Sequence, residues 1–383
     1  MDQQIEKQIR QNFEHLHENG EVSWEEYKTT KYIEEILESY GCETETFQEC
    51  PGVVGKYGNF DGTVPVVALR ADIDALWQEV NGTPCANHSC GHDSHMAMVL
   101  GVLYVLHSLK DIKNQVAVKF IFQPAEEKAA GALKMVELGV IEEVDYLFGV
   151  HLRPGAEVAD GFATPMIGHG ATKLMEIEID GEDAHGARPH LTHNAVNVGT
   201  QLVQAINQIR MNPSVPHSVK VTKFHAGGPN TNIIPGKASL SLDLRAQTNE
   251  VMEELEEQVD HIFKTIEFQY GTKITVGAIN QIAAARTNDE AITVMKGAIE
   301  SELGEAYTLE PTVTPGGDDF HFYTIKKPEL KATMLGLGCD LKPGLHHPQM
   351  TFNQDRMLDG TKILTQAVLG VYDIRAELSK LTN

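Results

Sequence analysis

Four short and largely apolar runs constrain the fold of this 383-residue chain more strongly than any other feature. They lie at residues 64–70, 116–122, 145–150 and 331–337. Runs of this length are typical of strands that are buried on both faces of a sheet. Helical segments separate them, and this alternation favours right-handed crossovers and a largely parallel sheet. The sequence therefore predicts an α/β domain with a mostly parallel sheet flanked by helices.

The helices around this sheet are predicted from apolar residues that recur at intervals of three and four. The segments concerned are residues 2–18, 23–40, 96–109 and about 128–138. The aromatic residues of the second segment, such as Trp24 and Tyr32, fall on its apolar stripe, so we assign them to core packing.

The middle of the chain has a different pattern. Alternating residues predict strands at 173–179, 218–225, 238–245 and 273–277, and amphipathic spacing predicts helices at 194–211 and 250–268. The order β-α-β-β-α-β is that of a ferredoxin-like sandwich. Because 383 residues exceed one ordinary core, we expect residues 172–286 to form an inserted α+β satellite domain. Residues 1–171 and 287–383 would then form the catalytic domain.

The satellite sheet would have two edge strands, and exposed edges are prone to pairing with another chain. Pairing with a second copy of the protein would cover one edge. The sequence therefore predicts a homodimer formed through the satellite domain.

Charge and composition exclude several classes of partner. The formal net charge is −23, from 31 basic and 54 acidic residues, and no basic cluster interrupts this excess. Nucleic acid and anionic membranes are therefore poor candidates. No apolar run reaches the length of a membrane span. The five cysteines are too few and too scattered for a disulfide framework, so we expect a reducing, cytoplasmic setting.

Polar residues with metal-binding side chains follow the predicted strands. Asp72 and Asp74 follow the first strand, Glu126 and Glu127 the second, and His151 the third. His346 lies in the loop after the fourth. In an open α/β sheet the carboxyl ends of the strands form the ligand-binding edge. The sequence therefore predicts one site at this edge.

The segment Asn87–His95 adds a thiol, a carboxylate and three histidines immediately before a predicted helix. Gly91 separates Cys90 from His92 and allows a sharp turn that faces both side chains to one point. A thiolate with an imidazole suits zinc, cobalt, nickel or manganese. The alternative is a buried cysteine beside a helix-capping Asp93. His88 and His95 have no required role, and we expect satisfied polar residues there.

Other candidate residues also have ordinary structural explanations. Asp72 and Asp74 either hold ligand imidazoles in one tautomer or cap the next turn. A Glu126–Glu127 pair in isolation is usually a solvated turn, and Arg245 could be an ordinary surface arginine. Arg245 could instead bind a substrate carboxylate through two hydrogen bonds.

In these residues and their spacing, the sequence resembles the M20 family of metallopeptidases and amidohydrolases. The similar branch contains hippurate hydrolases, N-acyl-amino-acid amidohydrolases and auxin-conjugate hydrolases. The matching motifs run through almost the whole chain in the family's order: Arg70–Leu76, His88–Asp93, Gln123–Glu127, Gly149–His151, Ala184–His190, Asn232–Pro235 and Gly317–Phe320. Two positions depart from the family pattern, with Trp77 in place of proline and Asp318 in place of glutamate.

The resemblance implies a site for two divalent metal ions, Mn²⁺ or Zn²⁺, with Co²⁺ or Ni²⁺ as further possibilities. The implied ligands are Cys90, His92, Glu127, His151 and a histidine of the C-terminal His-x-Pro segment. That last ligand is assigned to His346, with its neighbour His347 as the alternative.

The resemblance also implies roles for residues that do not bind metal. Glu126 would be the general base, and Asp74 would assist catalysis. His185 would stabilise the oxyanion, often from a dimer partner, and Asn232 and Arg245 would bind substrate. The implied reaction is hydrolysis of the amide bond of N-acyl amino acids or small amide conjugates by a metal-bound hydroxide.

Three alternatives remain at this stage. Cys90 could be a thiol nucleophile activated by His92 or His88. A closed structural zinc site would indicate a binding protein, although such sites usually take four Cys and His ligands and no glutamate. Finally, the same machinery could act as an aminopeptidase, a carboxypeptidase or an N-acetyl-diaminopimelate deacetylase.

Overall fold

The computed structural model describes residues 2–109 and 111–374. The helices are α1 (Gln3–Glu18), α2 (Tyr27–Ser39), α3 (His92–Ser108), α4 (Gly131–Glu137), α5 (Ala195–Ile206), α6 (Asn249–Tyr270), α7 (Asp289–Leu303), α8 (His321–Lys326) and α9 (Arg356–Val371). The strands of the N-terminal part are β1 (Glu43–Thr46), β2 (Val53–Gly58), β3 (Val66–Asp72), β4 (Leu76–Val80), β5 (Thr83–Asn87), β6 (Ala117–Gln123), β7 (Tyr146–Pro154), β8 (Ala163–Thr164) and β9 (Ile167–His169). The later strands are β10 (Ala171–Asp180), β11 (Ala184–His185), β12 (His217–Ala226), β13 (Ile233–Ile234), β14 (Ala238–Ala246), β15 (Lys273–Ile282), β16 (Thr312–Thr314) and β17 (Lys331–Leu341).

The chain divides into two compact units. The first comprises the residues up to Gly168, then Arg286–Val313, and the residues from Asp319 onward. The second comprises His169–Ala285 together with Thr314–Asp318.

A seven-stranded sheet with the order β1-β2-β6-β3-β7-β17-β8 forms the centre of the first unit. Its four central strands, β6, β3, β7 and β17, are parallel, and they are the four strands predicted from the apolar runs. The outer strands β1, β2 and β8 are antiparallel to their neighbours and were not predicted. The predicted α/β fold with a mainly parallel sheet is confirmed.

Register brings the polar segments that follow two strands together. Asp72, the last residue of β3, pairs with Gln123, the last residue of β6, so both chains leave the sheet side by side. His151 differs from expectation, because it lies inside β7 and not beyond its end. β7 continues to Pro154 because β17 extends to Leu341 and keeps pairing with it.

Helix α3 begins at His92, four residues before the predicted start, and lies in the core of the first unit. Gly91 precedes it with φ 88°, a left-handed conformation that favours glycine. A Cβ at Gly91 would lie 2.9 Å from Leu152 Cδ1, so close packing also excludes larger residues. This turn sets both Cys90 and His92 at the N-terminal end of the helix.

The second unit has the predicted ferredoxin-like order. The strands β10, β12, β14 and β15 form an antiparallel sheet in the order β12-β14-β10-β15. Helices α5 and α6 pack on one face and bury a separate apolar cluster that includes Leu202, Leu242 and Leu255. Asn194 and Thr248 cap the two helices through side-chain oxygens. The fold class of the inserted segment is confirmed.

Residues 314–318, predicted to lie in the catalytic domain, belong to the second unit. The Gly170 N–H donates to the carbonyl oxygens of Thr314 and Gly316, and a Cβ on Gly317 would contact Ile282. The hydrogen bonds of Gly170 join segments about 145 residues apart, and neither these bonds nor the contact with Ile282 leaves a local pattern in the sequence. None of the described helices combines the length and apolar character needed to cross a bilayer.

Candidate metal centre

Five side chains from four segments of the first unit lie close together. Cys90 precedes α3 and His92 begins it, while Glu127 lies in the turn after β6. His151 lies in β7 and His346 in the loop after β17. Ligand-type atoms of Cys90, His92 and His151 lie within 4.8 Å of one another, as do those of Cys90, Glu127 and His346. The two groups overlap at the Cys90 thiol.

The distances within this cluster are too long for strong hydrogen bonds but suit atoms that face a common point. Cys90 Sγ is 3.6 Å from His151 Nε2, and Glu127 Oε1 is 4.0 Å from His92 Nε2. His346 Nε2 approaches Glu127 Oε1 to 3.3 Å. His92 Nε2 is buried, and it has no hydrogen-bonding partner among the described residues.

Backbone carbonyls set the tautomers of two histidines. His92 Nδ1 lies 2.8 Å from the Asp74 carbonyl oxygen, and His151 Nδ1 lies 2.7 Å from the Leu152 carbonyl oxygen. A carbonyl oxygen only accepts, so each Nδ1 carries the proton. In the neutral ring, each Nε2 then presents its lone pair to the cluster, as metal-binding histidines require.

His95 lies beside this cluster but cannot contribute a ligand. Its Nδ1 pairs with Asp72 Oδ1 at 2.7 Å, and its Nε2 accepts the Leu152 N–H at 3.1 Å. Both ring nitrogens are therefore used, as expected for a satisfied polar residue. His88 differs, because both its nitrogens are buried without a hydrogen-bonding partner in the described ranges, and burial lowers its pKa.

Asp74 contacts both an imidazole of the cluster and the next turn. Its carbonyl oxygen orients His92. Its carboxylate caps the next turn, accepting the N–H groups of Glu126 at 3.2 Å and Glu127 at 3.1 Å, and the Ser23 hydroxyl at 2.7 Å. Burial opposes ionisation of Asp74, but the neighbouring His92 outweighs it and lowers the pKa of the carboxyl group.

Asp72 does not hold a ligand imidazole, contrary to one of the two expectations. Its Oδ2 is 3.8 Å from His92 Nε2, too far for a hydrogen bond, and its direct imidazole partner is His95. Arg70 donates to Asp72 at 2.5 Å. Despite burial, His92 and Arg70 together hold the pKa of Asp72 well below its usual range.

Arg70 is the centre of a buried network that sequence reasoning missed. Besides Asp72, its guanidinium donates to Gln123 Oε1 at 2.9 Å and to Asp319 Oδ1 at 2.8 Å. Asp319 also accepts the Ala132 N–H at 2.8 Å. One feature of the sequence could have revealed this network: Arg70 ends an apolar run that is predicted to be buried. A buried arginine needs acidic or polar partners.

The side chains of the cluster fit divalent cations. Burial raises the pKa of the Cys90 thiol well above its usual value, and the nearby Glu127 carboxylate raises it further. Burial opposes protonation of His92, but Asp72 and Cys90 outweigh it and raise the pKa of that imidazole. A thiol, a carboxylate and an imidazole are ligand types that a thiophilic or borderline divalent ion binds, and such an ion would displace the protons of Cys90 and His92 as it binds.

The structure distinguishes the two candidate histidines of the C-terminal loop. His346 has φ 63° and faces Glu127. Its N–H donates to the Ser89 carbonyl oxygen at 2.8 Å, and its carbonyl oxygen accepts from Gln78 at 2.8 Å. The nearby Glu127 carboxylate raises the pKa of His346. His347 instead accepts the Gln349 N–H within its own loop. The geometry therefore favours His346.

The remaining candidates lie in the second unit, and two of them are neighbours. His185 in β11 pairs with Ile233 in β13, and the Gly186 N–H donates to the Asn232 carbonyl oxygen at 2.7 Å. His185 is exposed, and its Nδ1 accepts the Ala187 N–H at 3.1 Å. Its proton therefore lies on Nε2.

Arg245 lies in β14, where its Nε donates to Asp243 Oδ1 at 3.0 Å. A substrate carboxylate would have to share this guanidinium with Asp243. Of the two departures from the family pattern, Trp77 lies in β4 with its side chain 68% exposed, and Asp318 is buried in the second unit.

Comparisons of the sequence and of the fold with known proteins agree on one family. The family model described as peptidase family M20/M25/M40 matches residues 68–370. An N-acetyl-L-cysteine deacetylase of Bacillus subtilis is 30% identical over 395 residues, covering 99% of this chain and 91% of that protein. Thermostable carboxypeptidase 2 of Saccharolobus solfataricus is 33% identical over 340 residues, 85% of each protein. The solved structure of the Bacillus subtilis YXEP protein, described as a dinuclear metal binding peptidase from the M20 family, has a TM-score of 0.79. It is 25% identical, and the match covers 97% of this chain and 99% of that chain.

Proposed function

The chain belongs to peptidase family M20/M25/M40 and is a hydrolase of amide bonds, and from this premise we propose that its substrates are N-acyl amino acids or small amide conjugates. The observation that carries the proposal is the convergence of Cys90, His92, Glu127, His151 and His346 at the carboxyl edge of the parallel sheet. The glutamate in this set supports a catalytic site over a closed structural site, which usually takes four Cys and His ligands.

The five side chains would hold two divalent ions, Mn²⁺ or Zn²⁺, with Co²⁺ or Ni²⁺ as alternatives. Two overlapping groups of three residues support a composite site for two ions. The YXEP relative is described as dinuclear, which supports the same number. When bound, two such ions lower the pKa of water and polarise a carbonyl group.

Glu126 would be the general base. It is 8% exposed, and its Oε2 lies 3.9 Å from His92 Nε2, at the edge of the cluster. From there it would accept the proton of the attacking water and return it to the leaving amine. Asp74 would assist by fixing the turn that carries Glu126 and by holding the His92 tautomer.

The second unit would supply groups that bind and stabilise the substrate. His185 carries its proton on Nε2, the arrangement needed to donate to an oxyanion. Asn232 lies beside it and would contact the substrate amide, while Arg245 would bind a substrate carboxylate. One of the two edge strands, β12 or β15, would pair with a second copy in a homodimer.

Burial argues against the thiol-nucleophile alternative. The Cys90 side chain is 6% exposed, and reactive cysteines are partly exposed in electropositive surroundings. Cys90 is buried beside the Glu127 carboxylate, and both the burial and this negative charge disfavour the reactive thiolate.

Peptide cleavage is the second candidate function, and the sequence identity to thermostable carboxypeptidase 2 favours it.

Both candidate functions are tested by assaying the metal-stripped protein after it has been reconstituted with manganese, zinc, cobalt or nickel. The substrates are acetyl-, benzoyl- and succinyl-amino acids, with N-blocked dipeptides as comparison. We expect hydrolysis of an acyl-amino acid that disappears on chelation and returns with metal. Higher kcat/KM on dipeptides would favour the second candidate, and activity that survives chelation would contradict the metal-dependent mechanism.

A further inference from the structure

Three consecutive backbone N–H groups in the turn after β6 donate to two buried carboxyl groups. Glu26 Oε1 accepts the Ala125 N–H at 2.8 Å. Asp74 accepts the next two, from Glu126 at 3.2 Å and Glu127 at 3.1 Å. Ala125 has φ 51°, a left-handed conformation that a non-glycine residue adopts only when its surroundings impose it. Two carboxyl groups therefore determine where the Glu126 and Glu127 side chains begin.

Glu26 lies in an environment that disfavours a negative charge. The residue is 0% exposed, and its Oε2 has no hydrogen-bonding partner among the described residues. The titratable groups that face it are Asp74, after β3, and Cys50, between β1 and β2. No cation is paired with Glu26 in the ranges that the structure describes. A second buried carboxylate beside Asp74 would be costly without such a partner.

We propose that Glu26, as a neutral carboxyl group, is a positioning residue for the turn that carries Glu126 and Glu127; this rests on the function proposed above. A neutral carboxyl group accepts the Ala125 N–H through its carbonyl oxygen without repelling the Asp74 carboxylate. Ionisation of Glu26 would place two like charges against adjacent amide groups of one turn. The turn would then shift and would displace both Glu126, the proposed base, and Glu127, the proposed ligand.

The protonation of Glu26 agrees with this geometry. Burial raises the pKa of Glu26 to about 8, and repulsion from Asp74 contributes to the rise. At pH 7, which lies below this value, Glu26 is therefore mostly protonated.

The first test compares Glu26→Gln with Glu26→Ala at pH 7. The Gln amide oxygen accepts the Ala125 N–H as the neutral acid does, so we expect kcat and metal content close to wild type. Glu26→Ala removes the acceptor, and we expect a loss of about 10–100-fold in kcat or metal affinity. Glu25→Gln, at the exposed neighbouring position, is the matched control and should be unchanged. Equal losses in Glu26→Gln and Glu26→Ala would overturn the proposal, because they would show that a charged carboxylate is required.

The second test is the pH profile of activity. Above pH 8 the wild type loses the neutral form of Glu26, whereas Glu26→Gln has no such group to ionise. At pH 9 we expect kcat of the wild type relative to Glu26→Gln to fall about tenfold from its value at pH 7. Parallel profiles for the two proteins would overturn the proposal.

The third test needs neither substrate nor metal. Between the unfolded pKa of 4.5 and the folded pKa of about 8, only folded Glu26 binds a proton. Its contribution to stability is therefore fully present below pH 4.5 and is lost as the pH rises to about 8. The Tm of the metal-free wild type minus that of metal-free Glu26→Gln should fall across this window and then level off.

A Tm difference independent of pH would show an ordinary structural contact and overturn the proposal. The Tm difference also distinguishes the failure of the proposed function from the failure of the proposal for Glu26. If no amide substrate is hydrolysed while the Tm difference falls as expected, the proposed function fails and the neutral state of Glu26 stands.

Discussion

At the scale of single residues, the candidate centre depends on which ring nitrogen carries each proton. Carbonyl oxygens hold the Nδ1 protons of His92 and His151, so that in the neutral rings the Nε2 atoms are free to face the cluster around Cys90. His95 has the same residue type and lies one helical turn from His92, yet both of its nitrogens are occupied. The proposed ligand His92 and its neighbour His95 therefore differ in their hydrogen bonds and not in residue type.

The adjacent glutamates provide the sharpest single-residue test. Glu126→Gln removes the proposed base but keeps the shape and hydrogen-bonding reach of the side chain. We expect the variant to retain its metal and to lose about 10²–10⁴-fold in kcat. Steady-state kinetics with elemental analysis measures both quantities. Glu137→Gln, an exposed glutamate of α4 with its side chain 70% exposed, is the matched control.

Cys90→Ala should lose metal, whereas Glu126→Gln should keep its metal and lose activity. Removal of a proposed ligand should lower the metal content, whereas Cys85→Ala, a half-buried cysteine of β5, should leave it unchanged. Full metal occupancy in Cys90→Ala would remove the thiol from the ligand set. Full activity in Glu126→Gln would remove that residue from the role of base.

At the scale of elements, the turn between β6 and α4 is held by close backbone packing as well as by hydrogen bonds. Gly131 is the first residue of α4, and a Cβ there would lie 1.6 Å from the Pro124 carbonyl oxygen. No side-chain rotation relieves a contact with backbone. The residues from Pro124 to Glu127 therefore depend on a glycine that no metal-binding pattern marks.

Gly131→Ala should destabilise the protein and displace the turn. Overpacking of this kind costs about 1–3 kcal/mol or more in the free energy of unfolding. Because the displaced turn carries Glu126 and Glu127, we expect metal affinity to fall as well. Chemical denaturation and metal titration measure the two effects.

Gly297→Ala is the matched control in α7. A Cβ at Gly297 meets nothing within 4 Å, so alanine should raise the stability by about 0.5–1 kcal/mol through helix propensity. A Gly131→Ala protein as stable as wild type would show that the contact with Pro124 relaxes freely.

At the scale of the whole molecule, the proposed chemistry divides between two units. The first holds the proposed ligands and the proposed base, and the second holds His185, Asn232 and Arg245. The order of elements in each unit was predictable, because apolar periodicity is a local signal. The assignment of residues 314–318 to the second unit was not, because it depends on contacts with Gly170 and Ile282.

Mixing two inactive proteins tests whether His185 acts across a dimer. In a mixed dimer of His185→Ala and Glu126→Gln, one of the two sites would combine an intact Glu126 with the partner's intact His185. Random pairing at equal amounts should restore roughly a quarter of wild-type activity. His190→Ala, at an exposed histidine of the same loop, should stay active alone. Mixed dimers verified by mass but inactive would show that His185 acts within its own chain or has no catalytic role.

The sequence by itself determined the four parallel strands, the ferredoxin-like insert and the residue types at the carboxyl edge of the sheet. These follow from apolar spacing and from motifs contained within a few positions. Only the tertiary structure decided the histidine tautomers, the preference for His346 over His347, and the partners of Arg70 and Glu26. Each of these depends on hydrogen bonds between groups far apart in the chain, such as Glu26 with Ala125 and Arg70 with Asp319. Burial gives such bonds their importance, and burial exists only once the chain has folded.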